Sequence, residues 1–345
     1  MIKKSSKHCT IRDLAKYVGL STCTVSRVLN DPGHKWSIPE TTRQLVKSAA
    51  EKLNYVPEVN AQRFFRKKSN VIGFLVPPNQ DESDSESVFH DQHLATILGS
   101  VAKELRKTDY NLMLLFNDQE TKESGRYESM FRSHLLDGLL IWGIHQDDFY
   151  WNELANMQTP IVFLNNTPGA GAPVGVNYVA NDFEFAAYQV SRQLFAQGCR
   201  RPLWMGAIAG LTLNVEVENG IHRAMREAGL SPDALQKTHC GYLQLDFGGF
   251  FNLVKECDGV ITPSHNSARV LANILPTLQK NIPMVCIDSS ATNAVPCVPT
   301  IIPDDERIGR EGVQHLLTLM ENRAEPGAPS LQLRLPGRPF AFVVP

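Results

Sequence analysis

From Val71 onward, short apolar runs alternate with helix-like stretches, and no other feature constrains the fold of this chain so much. Val71-Ile-Gly-Phe-Leu-Val76 carries no polar alternation and ends at Pro77-Pro78, the pattern of a strand buried on both faces. Strand-like Asn111–Phe116, Gly138–Trp142, Pro160–Leu164, Pro202–Met205, Gly259–Ile261 and Pro283–Ile287 follow, interleaved with helix-like 92–107, 122–134, 182–197, 216–228 and 266–279. Such alternation specifies parallel α/β sheets. About 275 residues of it suit two doubly wound halves with a cleft at the carboxyl ends of their strands. A helix at 305–322 and β-like ends at 331–335 and 339–344 come after both halves, so the chain is expected to cross between them several times. The expected division is 71–175 plus 300–322 for one half and 176–299 plus 323–345 for the other.

The first seventy residues have a different texture. Thr10 and Asp13 form a capping box before a helix whose apolar face is Leu14, Ala15 and Val18. Gly19 breaks that helix. Ser21 is placed to cap a second one with Val25, Val28 and Leu29 inside and Thr22, Cys23, Ser26 and Arg27 outside. Two short helices joined by a glycine-containing turn make a helix-turn-helix, whose second helix enters the DNA major groove. Ser37-Ile-Pro-Glu starts a third helix carrying Leu45, Val46, Ala49 and Leu53, and Tyr55-Val-Pro57 ends an all-α domain at 1–57. Residues 58–70 read as a basic hinge helix or linker.

Charge agrees once the chain is cut. Residues 1–70 hold fourteen Lys and Arg against five Asp and Glu, a net of +9, while 71–345 carry a net of −11. A basic module on an acidic body is the electrostatic footprint of a phosphate-backbone binder. No apolar run reaches the ~18 residues of a membrane span, and Met1-Ile-Lys-Lys-Ser-Ser-Lys-His8 has no signal-peptide core, so a cytoplasmic protein is expected. Seven cysteines without CxxC spacing argue against a zinc site or a disulfide framework and for buried, reduced thiols. Catalytic signatures such as GxSxG, GxxxxGK[ST] and HExxH are absent. Gly169-Ala-Gly171 leads into Pro173 and reads as a turn, and His90 with His93 reads as a surface pair, not a metal site. No catalytic residue, metal or cofactor is therefore expected.

Thr10-Ile-Arg-Asp-Leu-Ala15, Ser21-x-x-Thr-Val-Ser-Arg-Val-Leu-Asn30, Thr42-Arg43 and Leu53-Asn-Tyr-Val-Pro57, in this order, resemble the lactose-repressor (LacI/GalR) family of bacterial transcription regulators. The resemblance runs along essentially the whole chain. It implies a helix-turn-helix head on a periplasmic-binding-protein-like sensor, a homodimer, a palindromic DNA operator and a small-molecule effector. By position, Thr22 and Cys23 match base-reading residues and Arg27 a groove-reaching arginine. Ser21, Thr24, Ser26 and Asn30 match phosphate-contacting or helix-bracing positions, and Thr10 and Tyr55 belong to the same DNA-binding set. In the hinge, Ala61 holds the small-residue position and Phe64 the lever that wedges into the minor groove, with Phe65 packing on the sensor.

The sensor departs from the family pattern. Val217 replaces an effector-clamping arginine three residues before Gly220, Ser264-His265 replace Asn-Asp, and Asn165-Asn166 stand where Asp-Arg is common, while Asp288 is retained. An acidic, serine-rich loop at 79–87 precedes Phe89. Without the arginine, the implied ligand is a neutral sugar or polyol, held by Asp288, His265, Ser264 and Asn166 and stacked on Phe89 or Trp142. The alternatives are a regulator that has lost small-molecule control and, from other classes, a sugar-processing enzyme or a sugar-binding transport component. No leucine heptad precedes Pro345, so a tetramer of that kind is not expected.

Overall fold

Three helices at the N-terminus share one small core: α1 (Ile11–Val18), α2 (Thr22–Asn30) and α3 (Glu40–Lys52). The structure, a computed structural model, describes residues 9–30, 36–56, 68–76, 89, 91–116, 126–143, 159–167, 175–206, 212–239, 247–287, 298–321 and 330–340. Leu14, Ala15, Val25, Val28, Val46 and Ala49 are buried together, with Ile11, Leu29, Leu53 and Tyr55 packed at the edge. The capping box forms as expected: Asp13 N–H donates to Thr10 Oγ1 and Thr10 N–H to Asp13 Oδ2. Gly19 ends α1 at φ 69°, a left-handed conformation that a side chain would strain.

Two expectations for this head are corrected. Ser26 is buried at 5% exposure, and Asn30 Nδ2 donates to its carbonyl and hydroxyl. It sits about 100° round the helix from Val25, on the flank next to Leu29, so the core closes over it. Leu45 is 51% exposed, because Arg43 takes the inward line with Val46 and Ala49.

Beyond the head, the described residues build two six-stranded sheets. The first contains β1 (Val71–Val76), β2 (Asn111–Phe116), β3 (Gly138–Trp142), β4 (Ile161–Leu164), β5 (Tyr178–Asn181) and β11 (Gln332–Leu335), in the spatial order β11-β5-β4-β3-β1-β2 and parallel throughout. The second contains β6 (Pro202–Gly206), β7 (Gln236–His239), β8 (Gly259–Thr262), β9 (Met284–Cys286), β10 (Thr300–Ile302) and β12 (Arg338–Phe340), in the order β12-β10-β9-β8-β6-β7. Two of the helices, α4 (Gln92–Leu105) and α5 (Arg126–Arg132), precede β4 in the chain. Then come α6 (Phe183–Ala196), α7 (Thr212–Glu227), α8 (Phe247–Glu256), α9 (His265–Ile274) and α10 (Asp305–Glu321).

Strand alternation explains why the apolar runs are continuous. In β8, Val260 joins a core with Leu203, Val254 and Leu271, while its neighbour Ile261 joins the opposite core with Leu194, Ile221 and Val285. Helices α6 and α7 pack closely where Gly220 lies: a Cβ there would clash with the backbone at Glu184 O and Tyr188 N. In the first lobe, α10 lies beside α4, and Val313 and Leu316 share a core with Ile97, Val101 and Leu164.

Pairing revises the expected division of the lobes. β5 and β11 belong to the first sheet and β10 to the second, so the chain crosses at 181–182, 302–304 and 335–338. The expected breaks fall before β5, before β10 and after α10, whereas the crossings follow β5, β10 and β11, because each strand stays with the sheet it pairs into. One strand is antiparallel: β12 pairs with β10 through Ile302↔Arg338 and Thr300↔Phe340. The cause is chain direction, since β10 leaves the second sheet at the crossings and β12 enters there. Gly337, at φ 69°, turns the chain between β11 and β12.

The hinge positions 58–66 with Ala61, Phe64 and Phe65, the 79–87 loop, His90, Gly169–Gly171, Asp288 and the segment 341–345 lie outside the described residues.

Candidate nucleic-acid interface and sensor cleft

Helix α2 carries its candidate reading residues on one exposed face. Ser21 Oγ accepts from Thr24 N–H at 3.1 Å and lies 2.8 Å from Thr24 Oγ1, so the two hydroxyls satisfy each other at the helix start. Thr22, Cys23 and Arg27 remain exposed beyond that cap. An amide-rich helix start with exposed hydroxyl, thiol and guanidinium groups can meet phosphates with its N–H groups and base edges with its side chains. Thr10 uses its hydroxyl on Asp13 within the capping box, and Tyr55 is half-buried against the core. Asn30 is occupied with Ser26.

Sequence reasoning passes over Trp36 here and assigns Arg43 no contact. The Arg27 guanidinium carbon lies 4.2 Å from the centre of the Trp36 ring, and Trp36 is 49% exposed. Arg43, 2% exposed, donates from Nη2 to Trp36 O at 2.8 Å and from Nε to Ile38 O at 3.3 Å. The motif Thr42-Arg43 shows in the sequence; the carbonyls it holds do not.

In the sensor, the polar residues near the crossings are bonded to one another. Asn165, at φ 55°, accepts on Oδ1 from Asn181 N–H and Nδ2. Asn181 Nδ2 also donates to Asp305 Oδ1 at 3.0 Å, its Oδ1 accepts from Asp304 N–H, and Asp305 Oδ2 lies 2.7 Å from His93 Nδ1. His93, half-buried, is thus one end of a polar chain through the buried Asn181 and Asp305. Asn166 Oδ1 accepts from Gly143 N–H at 2.9 Å and fixes the turn after β3.

A second cluster joins the lobes. Glu216, on α7 and 8% exposed, accepts from Thr167 Oγ1 at 2.5 Å and from Arg334 Nη2 at 3.0 Å. Burial raises the Glu216 pKa above the usual carboxylate range, with Thr167 and Arg334 opposing. Arg334 keeps its charge across the accessible pH range, so Glu216 is the member that titrates. The neighbouring Val217 is 2% exposed and packs in the second-lobe core, so the position matching the family arginine faces inward. None of Thr167, Glu216 and Arg334 was expected; they lie far apart in sequence and carry no motif.

The remaining expected effector residues are dispersed. Ser264 caps α9, accepting from Ser267 N–H. His265 is turned inward at 3% exposure, contrary to a ligand-facing position, with Nε2 3.1 Å from Thr300 Oγ1. The Thr300 hydroxyl donates to Val298 O, so the ring satisfies it by donating from Nε2. Burial, with nearby Arg269, lowers the His265 pKa to about 4. Phe89 is 40% exposed and meets Phe116 edge to face, with ring centres 6.1 Å apart. Trp142 is half-buried against the first-lobe core.

The thiols at 199, 257 and 286 are buried and in no disulfide, while Cys23 is exposed. Burial, with Asp258 accepting from the Cys199 thiol, pushes Cys199 well above the usual thiol range and makes it unreactive. Among the described residues, no cluster of three His, Cys, Asp or Glu is placed to hold a metal ion, and no helix is long and apolar enough to cross a membrane.

Comparison with known proteins supplies the family. Residues 10–58 match the model of bacterial regulatory proteins of the lacI family, and residues 69–246 match that of periplasmic binding proteins and the sugar binding domain of the LacI family. The HTH-type transcriptional regulator MalR of Streptococcus pneumoniae serotype 4 is 23% identical over 286 residues, covering 81% of this chain and 83% of that protein. A solved complex of the transcriptional regulator CelR with cellobiose superposes with a TM-score of 0.66 at 21% identity, covering 96% of this chain and 98% of the other. The lac repressor dimer bound to operator and the anti-inducer ONPF superposes with a TM-score of 0.69 at 19% identity, covering 95% and 97%. With its helix-turn-helix head and paired parallel sheets, the chain belongs to the LacI family of bacterial transcription regulators, a DNA-binding protein with a periplasmic-binding-protein-like sensor.

Proposed function

We propose that this regulator acts as a homodimeric repressor on an inverted-repeat operator and that its sensor takes a neutral, hydroxyl-rich ligand. The observation that carries the DNA half is the exposed Thr22, Cys23 and Arg27 face of α2 within a segment of net charge +9. The lac repressor structure is a dimer on operator and the CelR structure holds cellobiose, and the same kinds of partner are proposed here. Direct base reading and phosphate contact separate by mutation. Arg27→Ala should weaken specific binding by about 1–3 kcal/mol and relax base preference. Lys67→Ala should weaken specific and random DNA alike and flatten the salt dependence, as loss of a phosphate contact does.

The ligand half rests on Val217. With an apolar, inward residue where the family holds an arginine, no bidentate cation is supplied there for a carboxylate or phosphate. Asp288 and Asn166 are the proposed hydroxyl-binding groups, since a carboxylate accepts two hydroxyls at once. A second reading, an effector-free regulator, is favoured by the internal bonds of Ser264 and His265. A thermal-shift screen of sugars, polyols and phosphosugars on wild type and Asp288→Ala separates them. A neutral hit lost in Asp288→Ala supports the first reading. A phosphosugar hit indifferent to Asp288 contradicts it, and no hit supports the second.

A further inference from the structure

We infer that Trp36 is a specificity-positioning residue, which holds the Arg27 guanidinium in a plane ready for the edge of a guanine. The inference rests on the DNA-reading role proposed for α2 and adds a residue outside the recognition helix to it. Three observations carry it. Arg27 lies over the Trp36 ring at 4.2 Å, close enough for direct stacking of the cation on the indole. Trp36 is 49% exposed, so its ring is not there to fill the three-helix core, and it is absent from that core's buried set. Its backbone is clamped, for Trp36 O accepts from both Arg43 Nη2 and Ile38 N–H at 2.8 Å, and Arg43 is itself buried.

The geometry is compatible with base reading because the two interactions use different parts of the guanidinium. Stacking occupies a flat face, whereas the N–H donors lie in the plane and point outward from its edge. A guanine presents O6 and N7 side by side to such a fork in the major groove. An unsupported arginine must lose side-chain freedom when it forms that pair; one already stacked on a clamped ring loses less. The ring therefore raises affinity most where Arg27 meets guanine and little elsewhere.

The test uses the intact protein and the duplex recovered by selection from random sequence. Trp36→Ala should weaken binding by about fivefold per half-site and reduce the preference for guanine at the Arg27 position, while Trp36→Phe, which keeps a π face, retains most of both. In an Arg27→Ala background, Trp36→Ala should cost nothing further. A merely structural role for Trp36 gives the same loss in both backgrounds and leaves base preference unmoved, which overturns the inference while leaving the DNA reading standing. Stronger binding by Trp36→Ala overturns it too, since the stack would then be withholding Arg27. Failure of wild type to recover any preferred duplex overturns the DNA reading and the inference with it.

Discussion

The exposed face of α2 and the polar clusters of the sensor treat the same kinds of side chain in opposite ways. On α2, Ser21 and Thr24 close the helix end between themselves, and Thr22, Cys23 and Arg27 stay exposed. Around the crossings, Asn165, Asn181 and Asp305 bond to each other, and Thr167, Glu216 and Arg334 do the same across the lobes. A buried polar group needs a partner, and here the chain supplies it. Polar residues in the sensor therefore first hold strands and helices at their crossings. The head's polar face has solvent, or a ligand, to answer to.

Breaking the cross-lobe cluster gives the largest expected effect. Arg334→Ala leaves the buried Glu216 carboxylate with Thr167 alone, and unfolding by denaturant should show a loss of about 2 kcal/mol at neutral pH, moderated because the Arg334 side chain is 37% exposed. Adding Glu216→Gln removes the charge and should recover most of it. Lowering the pH should also shrink the loss, because a neutral Glu216 needs no cation. If the single and double variants are equally destabilised, the cluster is not electrostatic.

His265 sharpens the comparison through pH. Its folded pKa is lowered to about 4 from 6.5. Between those values the unfolded chain holds a proton that the folded chain does not, so its stabilising contribution is complete above pH 6.5 and is lost as pH falls toward 4. Melting curves across that window should lose on the order of 3 kcal/mol in wild type and show a shallower fall in His265→Gln. An unchanged slope in the variant would show that the ring is not held neutral in the folded state.

In the head the corresponding change is smaller. Ser21→Ala removes the acceptor of Thr24 N–H and should weaken the start of α2 by about 1 kcal/mol, read as roughly fivefold faster amide exchange at Thr24. Exchange as slow as in wild type would mean that the cap contributes nothing there.

The same contrast explains what the sequence made legible. Thr10 with Asp13, Gly19, and Ser21 with Thr24 act over three or four residues, so their roles show in the string itself. Apolar runs show too, since β8 is buried whichever sheet it joins. Lobe membership did not show, because β5, β10 and β11 are assigned by partners rather than composition. Ser26, on the flank of α2, is buried by packing that its residue type does not announce. Glu216 meets a threonine 49 positions away and Asp305 an asparagine 124 away, separations that leave no pattern in the sequence. Val217, Ser264 and His265 are therefore legible as positions in the string, but the directions they face are set by the fold.

The most direct test of the account is selection of random duplex DNA by the intact wild-type protein beside Arg27→Ala. Wild type should enrich an inverted repeat, and Arg27→Ala should lose preference at one position of each half-site while keeping the others. Enrichment of no inverted repeat, or an identical motif from both proteins, would contradict the assignment of the exposed α2 face as the reading surface.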